Sequence, residues 1–158
     1  MMNLAYDVVC ALQGKMLATA ESCTGGGIGH AITSVAGSSQ VYKGGIVSYC
    51  NEIKHRVLGV REELLSRFGA VSALVAEAMA VGARTVLQTD IAVSVTGLAG
   101  PGADEYGNPV GTVFLGYADQ NRVLSREFHI SGSREHICNQ AVESALALLL
   151  EINQEENV

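Results

Sequence analysis

Three residues of this chain have the type and placement to do chemistry together: Ser22, Tyr49 and Lys54. Ser22 stands in Met16-Leu-Ala-Thr-Ala-Glu-Ser-Cys-Thr-Gly-Gly-Gly-Ile-Gly-His30, where an apolar run gives way to polar residues and then to glycines. The run reads as a buried strand and the glycines as the opening of a helix. A side chain at such a junction stands at the mouth of a sheet, where ligands bind in open α/β folds, and the N–H groups of the helix start can hold an anion. A serine there is most often just a helix cap, and its hydroxyl is a weak nucleophile until a base takes its proton. No Gly-x-Ser-x-Gly elbow is present, and no histidine stands near a strand end in a triad pattern. The nearest candidate base is Lys54, one turn into a helix that starts near Asn51 and faces the same edge. A desolvated lysine loses its proton more easily, and Ser–Lys pairs replace the histidine triad in some hydrolases. Tyr49, at the same strand end, could relay that proton or orient the lysine. The bland alternatives are a solvated helix lysine and a rim aromatic.

Cys23 is a rival nucleophile, because a thiol at a helix start ionises more readily; otherwise it is a small buried hydrophobe. Neighbours in an extended segment point opposite ways, so only one of Ser22 and Cys23 faces the crevice. A third segment, Thr96-Gly97-Leu98-Ala99-Gly100-Pro101-Gly102 with Pro109-Val110-Gly111-Thr112, is dense in glycine. Gly97, Gly100 and Gly102 would let backbone approach a ligand and offer N–H groups to an oxyanion or phosphate, with the Thr96 hydroxyl beside them. An ordinary loop needing positive φ would look the same. Each segment begins at the end of a predicted strand, so the three can converge on one crevice.

The elements that must position these residues follow from hydrophobic spacing and glycine. Helices are predicted over 3–13, 25–33, 51–57 (capped by Asn51), 61–67, 72–87 (capped by Ser72) and 134–152. Strands are predicted over 16–20, 46–50, 91–95, 113–117 and 123–130. The 34–45 and 97–109 stretches read as loops and 153–158 as a frayed tail. The 72–87 helix is expected to turn Leu74, Val75, Ala78, Met79 and Val81 to or near one face. Ile91 to Val95 is a continuous apolar run, expected to be a central strand covered on both faces. The order predicts one α/β domain over 1–158, a three-layer α/β/α sandwich on a mostly parallel, mixed sheet.

Composition narrows the partners. The chain has 158 residues, 48% hydrophobic and 16% charged, with a net charge of −6. That is a globular composition able to bury a core. Scattered Lys and Arg argue against nucleic acid and anionic membrane surfaces. No apolar run reaches the ~18–20 residues of a membrane span. The start carries Asp7 and no basic cluster, which argues against a signal peptide. Cys10, Cys23, Cys50 and Cys138 are far apart, as expected of reduced thiols in a cytoplasmic protein. The cysteines and the four histidines lack metal-ligand spacing.

Taken together, Ala20-Glu-Ser-Cys-Thr-Gly-Gly26, Ala36-Gly-Ser-Ser39, Gly44-Gly-Ile-Val-Ser-Tyr-Cys-Asn-Glu-Ile-Lys54, Leu58-Gly-Val60, Gly69-Ala-Val-Ser72 and the Thr96 to Gly102 and Pro109 to Thr112 stretches resemble the CinA C-terminal domain family. The likeness runs from about Leu4 to Leu150, in order. It implies an amidohydrolase domain that hydrolyses the carboxamide of nicotinamide mononucleotide to nicotinate mononucleotide and ammonia, in pyridine-nucleotide recycling. It also implies a homo-oligomer that uses no metal or other cofactor. By the same resemblance Ser22 is the nucleophile, served by Tyr49 and Lys54. The oxyanion and substrate contacts would come from Thr24, Gly25, Gly26 or from Thr96, Gly97, Gly100, Gly102, with Asn51 and Arg134 on the substrate and the phosphate on one of the two glycine-rich loops. Arg134 is kept here, but Cys138 and Asn139 follow where relatives often carry more basic residues. Two readings compete: a pyridine-nucleotide-binding module without catalysis, and an amidase for another small amide. Lys54 separates the first from an enzyme, since a binder has no use for a deprotonated lysine beside Ser22.

Overall fold

The computed structural model describes residues 1–158. Its five strands are β1 (Leu17–Glu21), β2 (Tyr42–Val47), β3 (Ile91–Gly97), β4 (Thr112–Ala118) and β5 (Val123–His129). They form one sheet in the order β2-β1-β3-β4-β5. The β2-β1-β3 half is parallel and the β3-β4-β5 half antiparallel. Six α-helices and a 3-10 turn at Ser38–Gln40 complete the chain: α1 (Met2–Ala11), α2 (Gly27–Thr33), α3 (Asn51–Arg56), α4 (Glu62–Phe68), α5 (Ala73–Leu87) and α6 (Arg134–Glu156). Helices α1, α2 and α6 bury Val8, Ile28, Ile32, Ile137, Leu146 and Leu149 against Leu17, Val93 and Leu115 of the sheet. On the opposite face Val75, Met79 and Ala83 of α5 pack with Ala18, Ala20 and Ala92, and with Leu58, Val60 and Leu65 around α4. The domain is therefore an α/β/α sandwich, as its alternation of helices and strands predicts. No helix is long and apolar enough to cross a membrane.

The central strands are buried on both faces, as their largely apolar runs predict. Alternation along β1 sends Leu17, Thr19 and Glu21 toward α2 and α6, and Ala18 and Ala20 toward α5. Ser22 continues the second series. Helix α5 lies close on the sheet because its inner face is small: Ala76, Ala80 and Ala83 are buried beside Val75 and Met79, while Gly82 lets the helix approach the Leu58 backbone. Gly116 belongs to the same seat, since a Cβ there would strike the Ala76 carbonyl and the Ser94 hydroxyl. The apolar face of this helix is therefore rotated from the predicted one. Leu74 and Val81 are exposed, because close approach to the sheet favours alanine and glycine over larger side chains.

Most boundaries shift by one or two residues from those predicted by sequence, and three changes bear on the fold. Strand β2 starts at Tyr42 and ends at Val47, taking in part of the stretch expected to be loop and leaving Ser48 to Cys50 outside it. The pair Gly44-Gly45 hides it, because glycine reads as a turn signal. Gly45 is required by crowding, since a Cβ there would overlap the side chains of Thr19 and Tyr42. Asn51 is the first residue of α3 rather than its cap; Cys50 takes the cap position and no side chain closes the turn. The tail is helical to Glu156, held by buried Ile152 and by ion pairs of Lys15 with Glu156 at 2.6 Å and Arg122 with Glu155 at 3.2 Å.

Candidate active site

The carboxyl ends of β1, β2 and β3 open on one cleft of about 340 Å³. Ser22, Cys23, Tyr49, Lys54, Thr96, Gly97, Gly100, Gly102 and Arg134 line it, together with Ala70, Val71, Leu98, Ala99 and Pro101. The parallel register sets Glu21 against Val47 and against Val95, so residues just past these positions meet at the sheet edge. The N–H of Ser22 continues the ladder to the Val95 carbonyl at 3.0 Å, and that of Ser48 to the Glu21 carbonyl at 2.8 Å. The backbone under Ser22 is thus fixed from both sides.

Lys54 comes back to this edge on α3. Its first-turn N–H bonds the Cys50 carbonyl at 3.1 Å, and the side chain folds back over the segment that led into the helix. Its Nζ lies 2.9 Å from Ser22 Oγ, 2.7 Å from the Ser48 carbonyl oxygen and 3.2 Å from that of Tyr49. Lys54 is only 1% exposed and forms no ion pair, although buried lysines ordinarily find a carboxylate. Burial pushes its pKa down to about 8, against a smaller upward pull from the thiols of Cys50 and Cys23. Ser22 is itself buried, with its hydroxyl against this amine.

Cys23 goes the other way, as strand alternation requires. Its side chain packs on the α1, α2, α6 core, close to Gly97 and Val113. Burial pushes its thiol up to about 12, with the nearby Cys138 adding to the effect. The carbonyl of Cys23 accepts from the Cys138 thiol at 3.1 Å. A thiol so held is poorly ionised, so the dyad geometry belongs to Ser22.

Four predicted contact residues sit elsewhere. Thr24 donates its hydroxyl to Glu21 at 2.6 Å, and the same buried carboxylate accepts from the N–H groups of Ile28 at 2.8 Å and Gly29 at 3.0 Å. The start of α2 is thus already occupied by a carboxylate of the chain itself, which removes it as an anion site. Gly25 and Gly26 form the turn behind Ser22: the Gly25 N–H bonds the Ser22 carbonyl at 3.1 Å, and Gly26 has a φ of 102° that favours glycine. Neither lines the cleft. Asn51 faces a separate groove with Glu52, His55 and Arg56, because it sits on the outer side of α3.

The Tyr49 hydroxyl bonds Arg134 at 3.1 Å rather than Lys54 or Ser22, and the residue is 62% exposed. What Tyr49 gives the lysine is its carbonyl. Arg134 also donates to the Gly100 carbonyl, so it spans the mouth from the β2–α3 turn to the β3–β4 loop. Thr96 turns its hydroxyl to the Ala70 carbonyl at 2.8 Å, tying β3 to the segment before α5. The loop after β3 is fastened to that same region: Asn108 Nδ2 donates to the Val71 carbonyl at 3.0 Å and the Tyr106 hydroxyl to that of Ser66 at 2.9 Å. Sequence reasoning misses Ala70 and Val71 as site residues. The Gly69-Ala-Val-Ser72 stretch is the only signal that could find them.

Comparison with known proteins agrees with this architecture. Residues 3–153 match the model of the CinA C-terminal domain. A CinA-like protein of Thermosynechococcus vestitus is 54% identical over 84% of this chain and 32% of its own length. A CinA-like protein of Geobacter sulfurreducens is 48% identical over 85% of this chain and 32% of its own. The chain spans about a third of the length of the curated relatives it matches. Among solved structures, a CinA superfamily protein of Klebsiella pneumoniae superposes with a TM-score of 0.94 at 35% identity over 98% of both chains. The competence/damage inducible protein CihA of Agrobacterium tumefaciens gives 0.92 at 42% identity, covering 96% of this chain and 94% of its own. In sequence and in fold, the chain belongs to the CinA C-terminal domain family.

Proposed function

We propose that this domain is an amidohydrolase that releases ammonia from the carboxamide of nicotinamide mononucleotide, with Ser22 as nucleophile and Lys54 as its base. The observation that carries the reading is the buried lysine without a counter-ion at 2.9 Å from a buried serine hydroxyl. A charged amine in that place has lost its water and gained no carboxylate, so burial shifts the balance toward the neutral form. A neutral amine has two N–H groups and one lone pair. The two carbonyls of Ser48 and Tyr49 engage the N–H groups, which leaves the lone pair for the proton of Ser22.

The steps then balance. Lys54 takes the Ser22 proton as Oγ attacks the amide carbon, and the carbonyl oxygen becomes an oxyanion. The N–H of Cys23, which makes no hydrogen bond within the chain, is the nearest backbone donor in sequence for that oxyanion. As the carbon–nitrogen bond breaks, Lys54 returns its proton to the leaving nitrogen and ammonia departs. Water attacks the resulting ester, Lys54 accepts the water's proton, and Ser22 leaves with it to restore the resting dyad. These steps call on no metal. One role implied by the resemblance moves, since Tyr49 orients Arg134 and lends a carbonyl, and of the two glycine-rich loops the reading takes the β3–β4 loop, because Glu21 fills the α2 start.

The test is to incubate the purified protein with nicotinamide mononucleotide and follow ammonia and nicotinate mononucleotide together. Equal formation of both is expected; absence of both contradicts the reading.

A further inference from the structure

Two free thiols meet behind the nucleophile. The Cys138 thiol donates to the Cys23 carbonyl at 3.1 Å, although 115 residues separate the two. Both residues are half-buried and pack on the same core. Helix α6 brings Cys138 there. Val142, one turn further along it, would stand 2.9 Å from a Cβ on Gly27, so the helix lies directly against the start of α2. The backbone of Cys23 is held by little else. Its N–H makes no hydrogen bond within the chain, and its carbonyl accepts from the Cys138 thiol alone. A thiol is a weak donor, so Cys23 has room to shift. A carbonyl oxygen stands about 2.4 Å from its own Cα, which puts the Cys138 sulfur within about 5.5 Å of the Cys23 Cα. Disulfides span Cα separations of ~4.4–6.8 Å. Rotation of the two side chains with a small displacement of the Cys23 backbone therefore closes the bond.

We propose that Cys23 and Cys138 are an oxidisable pair, which a hydroperoxide joins into a disulfide and a small thiol reopens, and that the bridge slows the site beside it. That the bridge forms is independent of the function proposed above; its effect on turnover rests on that reading. Burial leaves the Cys23 thiol poorly ionised, so Cys138 reacts first. Its sulfur attacks one oxygen of hydrogen peroxide, the O–O bond breaks, and hydroxide leaves with the thiol proton as water. The Cys23 sulfur then attacks the sulfenic sulfur of Cys138. The S–S bond forms, the S–O bond breaks, and the second hydroxide leaves with the Cys23 proton. The two thiols lose two electrons, and the peroxide takes them up as two waters. In the reverse direction a small thiol opens the bridge through a mixed disulfide, and a second one releases Cys138 as the small thiol becomes its own disulfide. Closure draws Cys23 toward α6 and turns its N–H, the donor that the mechanism gives to the oxyanion, one peptide bond from Ser22. A misplacement of about 1 Å at such a point can cost about 10²-fold in rate.

The experiment compares the parent with Cys138→Ser, whose hydroxyl keeps a donor for the Cys23 carbonyl. Each reduced protein is treated with excess hydrogen peroxide, alkylated without reductant, digested and mapped by mass spectrometry. On the same samples kcat for ammonia release is measured before and after dithiothreitol. The oxidised parent should yield a cross-linked peptide joining Cys23 to Cys138, two hydrogens lighter than the separate thiols. Its kcat should fall by about tenfold or more and return with dithiothreitol. Oxidised Cys138→Ser should show no such peptide and keep its kcat. Absence of the cross-link in the parent overturns the inference, and so does a cross-link that leaves kcat unchanged or an equal loss in Cys138→Ser. A parent that forms the cross-link but releases no ammonia even when reduced would instead count against the amidase reading alone and leave the disulfide standing.

Discussion

The amine of Lys54 stands 2.9 Å from the hydroxyl of Ser22, though 32 residues separate them. The parallel pairing of β1 with β2 makes this possible. It carries the chain past Ser48 at the level of Ser22, and one turn of α3 then folds the lysine back on both. The cleft has no carboxylate to neutralise that amine, so the proton is held weakly.

The rate should therefore rise with pH. As the proposed base, Lys54 must be neutral to act, and burial lowers its pKa to about 8. The acid limb of kcat/KM for ammonia release should have its midpoint near that value, falling about tenfold per pH unit below it. A profile flat from pH 6 to 9 would contradict Lys54 as the base.

Stability should carry the mirror of this effect. Lys54 is lowered from 10.5 to about 8, so between those values the unfolded chain binds the extra proton and the folded chain does not. Stability from this group therefore rises with pH through that window. Lys54→Met removes the effect along with the base. In urea melts the parent should gain on the variant by up to about 3 kcal/mol as pH is raised across the window, roughly 1.4 kcal/mol for each pH unit crossed. A constant difference between the two proteins would show that burial does not disfavour the charge.

Tyr49→Phe separates two roles for the tyrosine. Its hydroxyl meets Arg134 and its carbonyl meets Lys54. Phenylalanine keeps the carbonyl, so kcat should change by less than about fivefold, with the loss mainly in KM. A proton relay through the hydroxyl would instead cost about 10²-fold or more in kcat.

Glu21→Gln tests the closed start of α2. An amide cannot accept at both of its ends, yet the carboxylate accepts from Thr24, Ile28 and Gly29. The change should destabilise the domain by about 1–3 kcal/mol, the cost of leaving a buried donor unpaired. Thermal melting should fall by several degrees. An unchanged melting temperature would mean that the carboxylate does not hold this turn.

Much of this was legible in the sequence where a local rule and the tertiary structure agree. The apolar run from Ile91 to Val95 put β3 in its central place, and that before Ser22 marked β1 as buried. Alternation along β1 left one of Ser22 and Cys23 for the crevice, and the structure packs Cys23 on the α1, α2, α6 core. What stayed hidden depended on partners far away in the chain. Gly44 and Gly45 look like a turn until Thr19 and Tyr42 are set against them. The glycines after Ser22 look like an anion cradle until Glu21 fills it. Leu74 and Val81 look like core until the sheet demands the small side chains of Ala76 and Ala80. Ala70 and Val71 carry no chemistry of their own and enter the site only because the Thr96 hydroxyl and the Asn108 amide draw their carbonyls in.

The central claim is that Ser22, and not its neighbour Cys23, attacks the amide. Its most direct measurement is kcat/KM for ammonia release from nicotinamide mononucleotide by the parent, Ser22→Ala and Cys23→Ala, each checked for folding. Removal of a catalytic serine typically costs about 10³-fold or more, roughly to the level of binding and oxyanion stabilisation alone. Ser22→Ala should fall at least that far, while Cys23→Ala stays within about tenfold of the parent. Retained activity in Ser22→Ala with loss in Cys23→Ala would contradict the account.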